Sequence, residues 1–483
     1  MRKIMFLGVL LSILISCGGS GNKRGNDRGM IIPERKPKNL APTRPIGMVP
    51  IPSGSFVMGQ TDYDFAQQQN ATPKTVSVSA FYMDDTEITN AEYQVFVNYV
   101  RDSIVRQLLA ERAYEMGYDG TQGGSDGSGI ASFAFKNQSK DGQRSAYEEY
   151  IDEVSDGRSG YESERMLNWD IPIEWDKYKY PDRDYVEVME SIYYAPEDRF
   201  NNERLIDVRK LNYIFAEVDK NKAARAHGTD ATRSEFVNID TVNIYPDTTV
   251  WVRDFHYAYN DPLHNDYFWN AAYLDYPVVG VTWDQARAFC AFRTDKHKTY
   301  NDSKKRNKED VIIYRLPTEV EWEYAARGGQ ENMPYPWGGP YLQDSRGCYL
   351  ANFKPRRGDY IEDCCAKTKK PGFIYAAPVR TFFPNDFGLY DMSGNVAEWT
   401  QSPYNSASSE FTGTMNPYLG SGMDTGVKTV KGGSWKDVGY MLMVGARDWE
   451  HKDSARSFIG FRTVQTIPEG ANVRFNRTRV RTN

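Results

Sequence analysis

Residues 385–400 read Asn385-Asp386-Phe387-Gly388-Leu389-Tyr390-Asp391-Met392-Ser393-Gly394-Asn395-Val396-Ala397-Glu398-Trp399-Thr400. Asp391 and Glu398 offer carboxylates, and Gly394 permits a tight bend that turns backbone carbonyls inward. A cage of carboxylate and carbonyl oxygens is what a hard cation such as Ca2+ takes. The same residues also read as a Gly-Asn turn between two aromatic strands, with no metal. Residue types alone leave both readings open.

Other stretches repeat the mixture of apolar, acidic and glycine residues. Residues 315–329 read Arg-Leu-Pro-Thr-Glu-Val-Glu-Trp-Glu-Tyr-Ala-Ala-Arg-Gly-Gly, and residues 431–435 read Lys-Gly-Gly-Ser-Trp. With residues 51–59, 85–96, 276–290, 335–338 and 460–462, these motifs resemble the formylglycine-generating-enzyme (sulfatase-modifying factor) family, in family order. The resemblance implies an α+β fold: irregular, overlapping C-type-lectin-like architecture, with few regular strands, several helices and a long insertion. Fold alone does not assign an activity.

The amino terminus looks like an address. Arg2 and Lys3 precede an apolar run over residues 4–15, too short to span a bilayer. Leu14-Ile15-Ser16-Cys17 resembles a bacterial lipobox, which implies that residues 1–17 are a lipoprotein signal peptide and that Cys17 is the lipidated residue. Residues 18–45 are polar and rich in Gly, Lys, Arg and Pro, as a flexible tether is. No Asp follows Cys17, which resembles the sorting rule for the outer membrane, facing the periplasm. The folded domain is then expected over residues 46–470, and residues 471–483 form a basic tail. At 483 residues, a net charge of -6 and a mean hydropathy of -0.65 exclude a membrane-spanning bundle and give no pointer to nucleic acid. An oxidising compartment permits disulfides. Cys348 could pair with Cys364 or Cys365, a choice the spacing does not make.

Three helices announce themselves by one device. Thr89, Thr282 and Thr318 each stand three residues before Glu92, Gln285 and Glu321, the spacing of a capping box. Gly328-Gly329 closes the third helix. Strands are expected at 48–59, 76–83, 241–251, 335–338, 349–353, 378–383 and 427–435. Between the first two helices lies an insertion, about residues 101–275, interleaving aromatic, acidic and basic residues. Cys290 falls on an apolar helix face as a buried thiol, and Arg462 reads as a paired core guanidinium.

The resembled enzyme oxidises cysteine with oxygen at copper, held by two cysteines shortly after its Gly-Gly-Ser-Trp motif. Those positions fall on Asp437 and Leu442 here. Copper(I) favours thiolates, so the resemblance implies no copper. The histidines His227, His256, His264, His297 and His451 are scattered, with no helical pair for a non-haem iron site. By contrast, the family's Ca2+ site maps onto Asp391 and Glu398 by side chain and Gly394 and Val396 by carbonyl. A second family site would use Asn352 and Phe353, but Pro371 replaces its Asp.

A lipobox, a long insertion and a lost thiolate pair together resemble the lipoprotein branch of the type IX secretion and gliding-motility machinery. That resemblance implies a non-catalytic scaffold: a homo-oligomer under the outer membrane, bound to a GldN/PorN-type periplasmic ring partner. Arg474, Phe475, Arg477 and Arg479 are the expected partner contacts, because Arg and aromatic side chains make good anchors. A periplasmic oxygenase and a C-type-lectin-like receptor are the competing readings.

Overall fold

The computed structural model describes residues 44–60, 70–118, 129–136, 167–219, 223–224, 226, 233–254, 266–303, 311–356, 373–418, 425–468, 473 and 475. Residues 1–17, most of the tether, Cys364, Cys365, Pro371, His227, His256, His264, Arg474, Arg477 and Arg479 lie outside them, and so does any pairing of Cys348 with Cys364 or Cys365.

The three capping boxes form as the spacing requires. Thr89 Oγ1 accepts from the Glu92 N–H, while Thr89 N–H donates to Glu92 Oε2 at 2.9 Å, opening helix α1 (Asn90–Glu115). Two further helices, labelled α4 (Trp283–Ser303) and α5 (Glu319–Arg327), open in the same way at Thr282/Gln285 and Thr318/Glu321. Gly328 stops α5 in the left-handed region at φ 62°. Between α1 and α4 stand α2 (Arg183–Ile192) and the short α3 (Val250–Asp254); α6 (Ser408–Phe411) follows later.

At 26 residues, α1 is about 39 Å long, enough to serve two cores. Its first half sends Tyr93, Phe96, Val97 and Val100 into the main core against Phe289 and Cys290 of α4, together with Trp399 and Phe461. Tyr93 and Phe289 stack with centroids 5.7 Å apart. Burial pushes the Cys290 thiol well up, so it stays protonated and inert. The second half sends Val105, Leu109 and Ala113 into a separate cluster with Tyr185, Met189 and Ile192 of α2. The helix therefore runs straight through residue 101, where the insertion was expected to begin.

Two four-stranded sheets frame the domain. In one, β1 (Met48–Ile51), β4 (Phe81–Asp84), β12 (Val464–Thr466) and β7 (Tyr314–Arg315) lie side by side, all antiparallel. In the other the order is β10 (Asp448–His451), β9 (Val427–Lys431), β8 (Ala397–Pro403) and β11 (Ile459–Gly460), with β11 parallel to β8. Two-stranded ribbons β2 (Gly54–Met58)/β3 (Lys74–Val78) and β5 (Asn212–Val218)/β6 (Val237–Asn243) are the other sheets among the described residues.

Several expected strands differ. The run 76–83 is split between β3 and β4, because Ser79 N–H donates to Asn416 Oδ1 at 2.7 Å and the chain changes sheet there. The stretch 241–251 ends as a strand at Asn243. Asp247 then accepts from Thr249 N–H at 2.9 Å in an Asx turn, and α3 follows. Residues 335–338, 349–353 and 378–383 form no strand; the one ladder contact there is the bridge Gln343↔Tyr349. Their order comes from turn and loop bonds, such as Gly338 N–H donating to the Tyr335 carbonyl at 3.1 Å and Val379 N–H to that of Asp275 at 2.9 Å, and from side chains, such as Tyr335 Oη donating to the Gly439 carbonyl at 2.9 Å.

Candidate functional site

The opening stretch is a turn and a site at once. Asp391, Gly394 and Asn395 all adopt left-handed backbone, with φ 55°, 80° and 63°. At Gly394 a Cβ would come within 2.3 Å of the Asn352 carbonyl oxygen, so only glycine fits. These bends lead into β8, whose parallel neighbour β11 is followed two residues later by Arg462. Arg462 grips Glu398 with two bonds, Nη2 to Oε1 at 2.6 Å and Nε to Oε2 at 2.7 Å. Trp322 Nε1 of α5 adds a third at 2.7 Å. Arg462 also donates to the carbonyls of Asp84 (3.2 Å) and Tyr390 (3.0 Å).

Two more carboxylates face this pair. Asp391 Oδ2 accepts from the Arg380 N–H at 2.8 Å, and Glu87 Oε1 accepts from Asn395 Nδ2 at 3.0 Å. The remaining oxygens, Asp391 Oδ1 and Glu87 Oε2, are buried with no partner. Burial raises both carboxyls, Asp391 to about 6, and their mutual repulsion raises Glu87 further, against the pull of Arg462. Three carboxylates against one guanidinium leave this interior two negative charges in excess if all ionise. An uncompensated buried charge is costly, so a proton or a cation must answer it.

The donor set therefore fits an oxygen-ligated divalent cation. Asp391 presents an acceptor with nothing to accept from, beside left-handed bends at Asp391, Gly394 and Asn395. Glu398, already held by Arg462 and Trp322, would share its oxygens. Among the described residues no three His, Cys, Asp or Glu side chains converge closely enough to hold a metal by themselves, so carbonyls would complete the shell. At the second expected position only the side chains' other contacts are seen. Asn352 Nδ2 donates to the Tyr375 carbonyl at 2.8 Å, and Phe353 packs in an apolar cluster.

A neighbouring cluster is closed by contrast. Glu323 of α5 accepts from Lys431 Nζ (3.0 Å), Arg327 Nη2 (2.7 Å) and the Gly59 N–H (2.7 Å). Burial pushes its carboxyl up, but Lys431 and Arg327 outweigh that and hold it below the usual range.

The positions matching the copper ligands hold no free donor pair. Asp437 Oδ2 accepts from Ser434 N–H at 2.9 Å and Ser434 Oγ at 2.6 Å, closing the turn after β9. Leu442 is fully buried among Tyr335, Ala351, Phe353 and Met443. His297 Nδ1 lies 3.2 Å from Tyr314 Oη, and His451 is an exposed residue of β10. Phe475 is exposed and Val473 packs on the main core.

The structure thus brings Asp391 and Glu398 into one buried cluster. It adds Glu87, to which the sequence reading gave no role, and Asn395, read there only as a turn residue. Glu87 sits two residues before a capping Thr, where an acid reads as part of a solvated helix start; only its complete burial marks it out.

Comparison with known proteins gives the family. The model of the sulfatase-modifying factor enzyme 1-like domain matches residues 34–156 and 216–467. The inactive Cα-formylglycine-generating enzyme 2 of Bos taurus is 35% identical over 195 residues, 39% of this chain and 50% of that relative. The chain thus spans about half the length of that curated relative. The formylglycine-generating enzyme of Bos taurus is 26% identical over 425 residues, covering 87% of this chain and 75% of the relative. Among solved structures, PvdO from Pseudomonas aeruginosa aligns with a TM-score of 0.42 and 14% identity, covering 89% of this chain and all of that one. The chain belongs to the sulfatase-modifying factor enzyme 1-like family.

Proposed function

We propose that this chain is a non-catalytic outer-membrane lipoprotein scaffold. In this reading it is a ring component of the type IX protein secretion and gliding-motility machinery, of the GldK/PorK type. The observation that carries the reading is the fate of the two copper positions. Asp437 is committed to Ser434, and Leu442 is sealed in an apolar cluster, so the thiolate pair is replaced by two structural residues. An inactive member among the relatives supports it, while the active enzymes among them keep the catalytic alternative open to test.

Cys17 carries the lipid and residues 18–45 let the domain hang on the periplasmic side. The folded domain then associates laterally with other copies and with a GldN/PorN-type partner, through contacts that include Arg474, Phe475, Arg477 and Arg479. A structural Ca2+ held by Asp391, Glu398 and the carbonyls of Gly394 and Val396 stiffens the centre; it supplies charge and oxygen coordination, not chemistry.

The test is purification of the full chain from membranes in detergent. The scaffold reading expects a large oligomer with a periplasmic partner, no aldehyde on a cysteine-containing peptide supplied with copper(I) and oxygen, and loss of membrane retention in Cys17→Ala. Conversion of the peptide would establish the oxygenase reading. A monomer whose glycan or peptide binding vanishes with chelator would establish the receptor reading.

A further inference from the structure

Glu87 lies in the short link between β4 and α1, residues 85–89, and is wholly buried. Backbone bonds pin that link on two sides. Tyr390 N–H donates to the Asp85 carbonyl at 2.8 Å, and Ile88 N–H donates to the Phe461 carbonyl at 2.9 Å. The link therefore runs between the turn that carries Asp391 and the residues after β11, where Arg462 stands. Glutamate is almost never fully buried without a partner. Among the described residues, however, the one group bonded to the Glu87 side chain is the Asn395 amide, at 3.0 Å. That amide is itself fixed, because Asn395 Oδ1 accepts from the Ala377 N–H at 2.8 Å and leaves Nδ2 to face Glu87 Oε1. A neutral amide orients a carboxylate without balancing its charge. Oε2 is left as a buried acceptor with no donor.

The bonds also partition the charges. Arg462 takes both oxygens of Glu398, and Trp322 adds a bond to Oε2. The further bonds of Arg462 go to the carbonyls of Asp84 and Tyr390, so none reaches Glu87 or Asp391. Glu398 and Arg462 cancel each other. Glu87 and Asp391 remain, two negative charges when ionised, each with one unpartnered buried oxygen. That charge and those hard donors suit a single divalent cation. A monovalent ion would leave one buried charge uncompensated.

We propose that Glu87 ligates the cation together with Asp391 and supplies the second of the two charges that balance it. Glu398, already neutralised by Arg462, contributes oxygen but no net charge. The inference rests on the calcium reading above and adds to its ligand set a residue to which the family resemblance assigned no role.

Calorimetric titration of Ca2+ into the full chain, in detergent and stripped with chelator, tests this against Glu87→Gln. Glutamine keeps the size of the side chain and can still accept from Asn395 Nδ2, so the variant should fold. The parent should show one site, bound at least tenfold more weakly in the variant. Without calcium the variant should melt no lower than the parent, because one repelling carboxylate is gone. A purely structural role would give the reverse: lower melting and unchanged affinity. Europium(III), which takes oxygen ligands as Ca2+ does, then reports contact. Its luminescence decay in H2O and D2O counts the waters on the ion, and Glu87→Gln should gain at least one. Glu87→Asp, which keeps the charge but withdraws the oxygen by one methylene, should gain the same water and carries the test if Glu87→Gln does not fold.

Parental affinity and hydration in the folded variant overturn the role of Glu87 and leave the calcium reading standing. Weaker binding with unchanged hydration also overturns it, since the charge would then act without contact. A parent that binds no Ca2+ overturns both and assigns the cluster to a proton alone.

Discussion

Two buried charge clusters lie either side of α5, and they are built oppositely. Around Glu323 one carboxylate meets two cations and a backbone N–H, and its carboxyl is held low. Around Glu398 three carboxylates meet one guanidinium, two oxygens have no partner, and the Asp391 carboxyl is pushed up to about 6. The first cluster is complete as a protein interaction; the second is completed only by something that brings positive charge. Both pair buried carboxylates with basic side chains, so the difference lies in stoichiometry, and it predicts opposite responses to mutation, pH and calcium.

The largest effect should come from removing the lone cation of the acidic cluster. Arg462→Met leaves three carboxylates facing one another and strips Glu398 of two bonds; a loss of about 4 kcal/mol in urea unfolding is expected, from the cost of breaking a buried pair. Retention of parental stability would show that those carboxylates are already neutral.

Calcium comes next. At a hundredfold excess over its dissociation constant, a ligand bound by the folded state alone adds about 2.7 kcal/mol. The gain should shrink sharply in Asp391→Asn and be unaffected by Glu323→Gln, apart from a lower starting stability in the latter. Acidity separates the clusters further. The folded Asp391 carboxyl, at about 6 against an ordinary 3.8, holds protons that the unfolded chain releases. Without calcium, its contribution is therefore fully present below about 4 and lost as pH rises through about 6. Calcium must displace that proton, so its rise in melting temperature should be larger at pH 7.5 than at pH 5. Glu323 has the reverse sign: its depressed carboxyl stabilises at neutral pH, and that contribution fades as pH falls through its folded value.

Smaller again is Lys431→Met, which leaves Glu323 its Arg327 and Gly59 bonds. About 2 kcal/mol is expected, below the cost of Arg462→Met because a cation remains; equal losses would erase the contrast between the clusters. The smallest is Thr89→Ala, which opens the α1 capping box for about 1 kcal/mol in thermal unfolding and should leave the calcium response untouched.

Legibility in the sequence followed the range of the forces involved. The caps at Thr89, Thr282 and Thr318 were readable because a capping box closes within four residues. The split of residues 76–83 was not, because Asn416, more than three hundred positions away, takes the Ser79 N–H. At the site, Asp391 and Glu398 were readable as a carboxylate pair inside one bend. Glu87 was not, since nothing in Asp85-Thr86-Glu87-Ile88 distinguishes a buried acid from a surface one.

What the sequence determined unaided was the framework: helices capped at Thr89, Thr282 and Thr318, a bend at Gly394, and the absence of cysteine at Asp437 and Leu442. Those are local covalent and steric facts. The tertiary structure alone decided the charge balance, because Glu87, Asp391, Glu398 and Arg462 meet only when α1, β8 and β11 pack. Electrostatic energy in a dry interior depends on which charges meet, and that is a property of the folded chain.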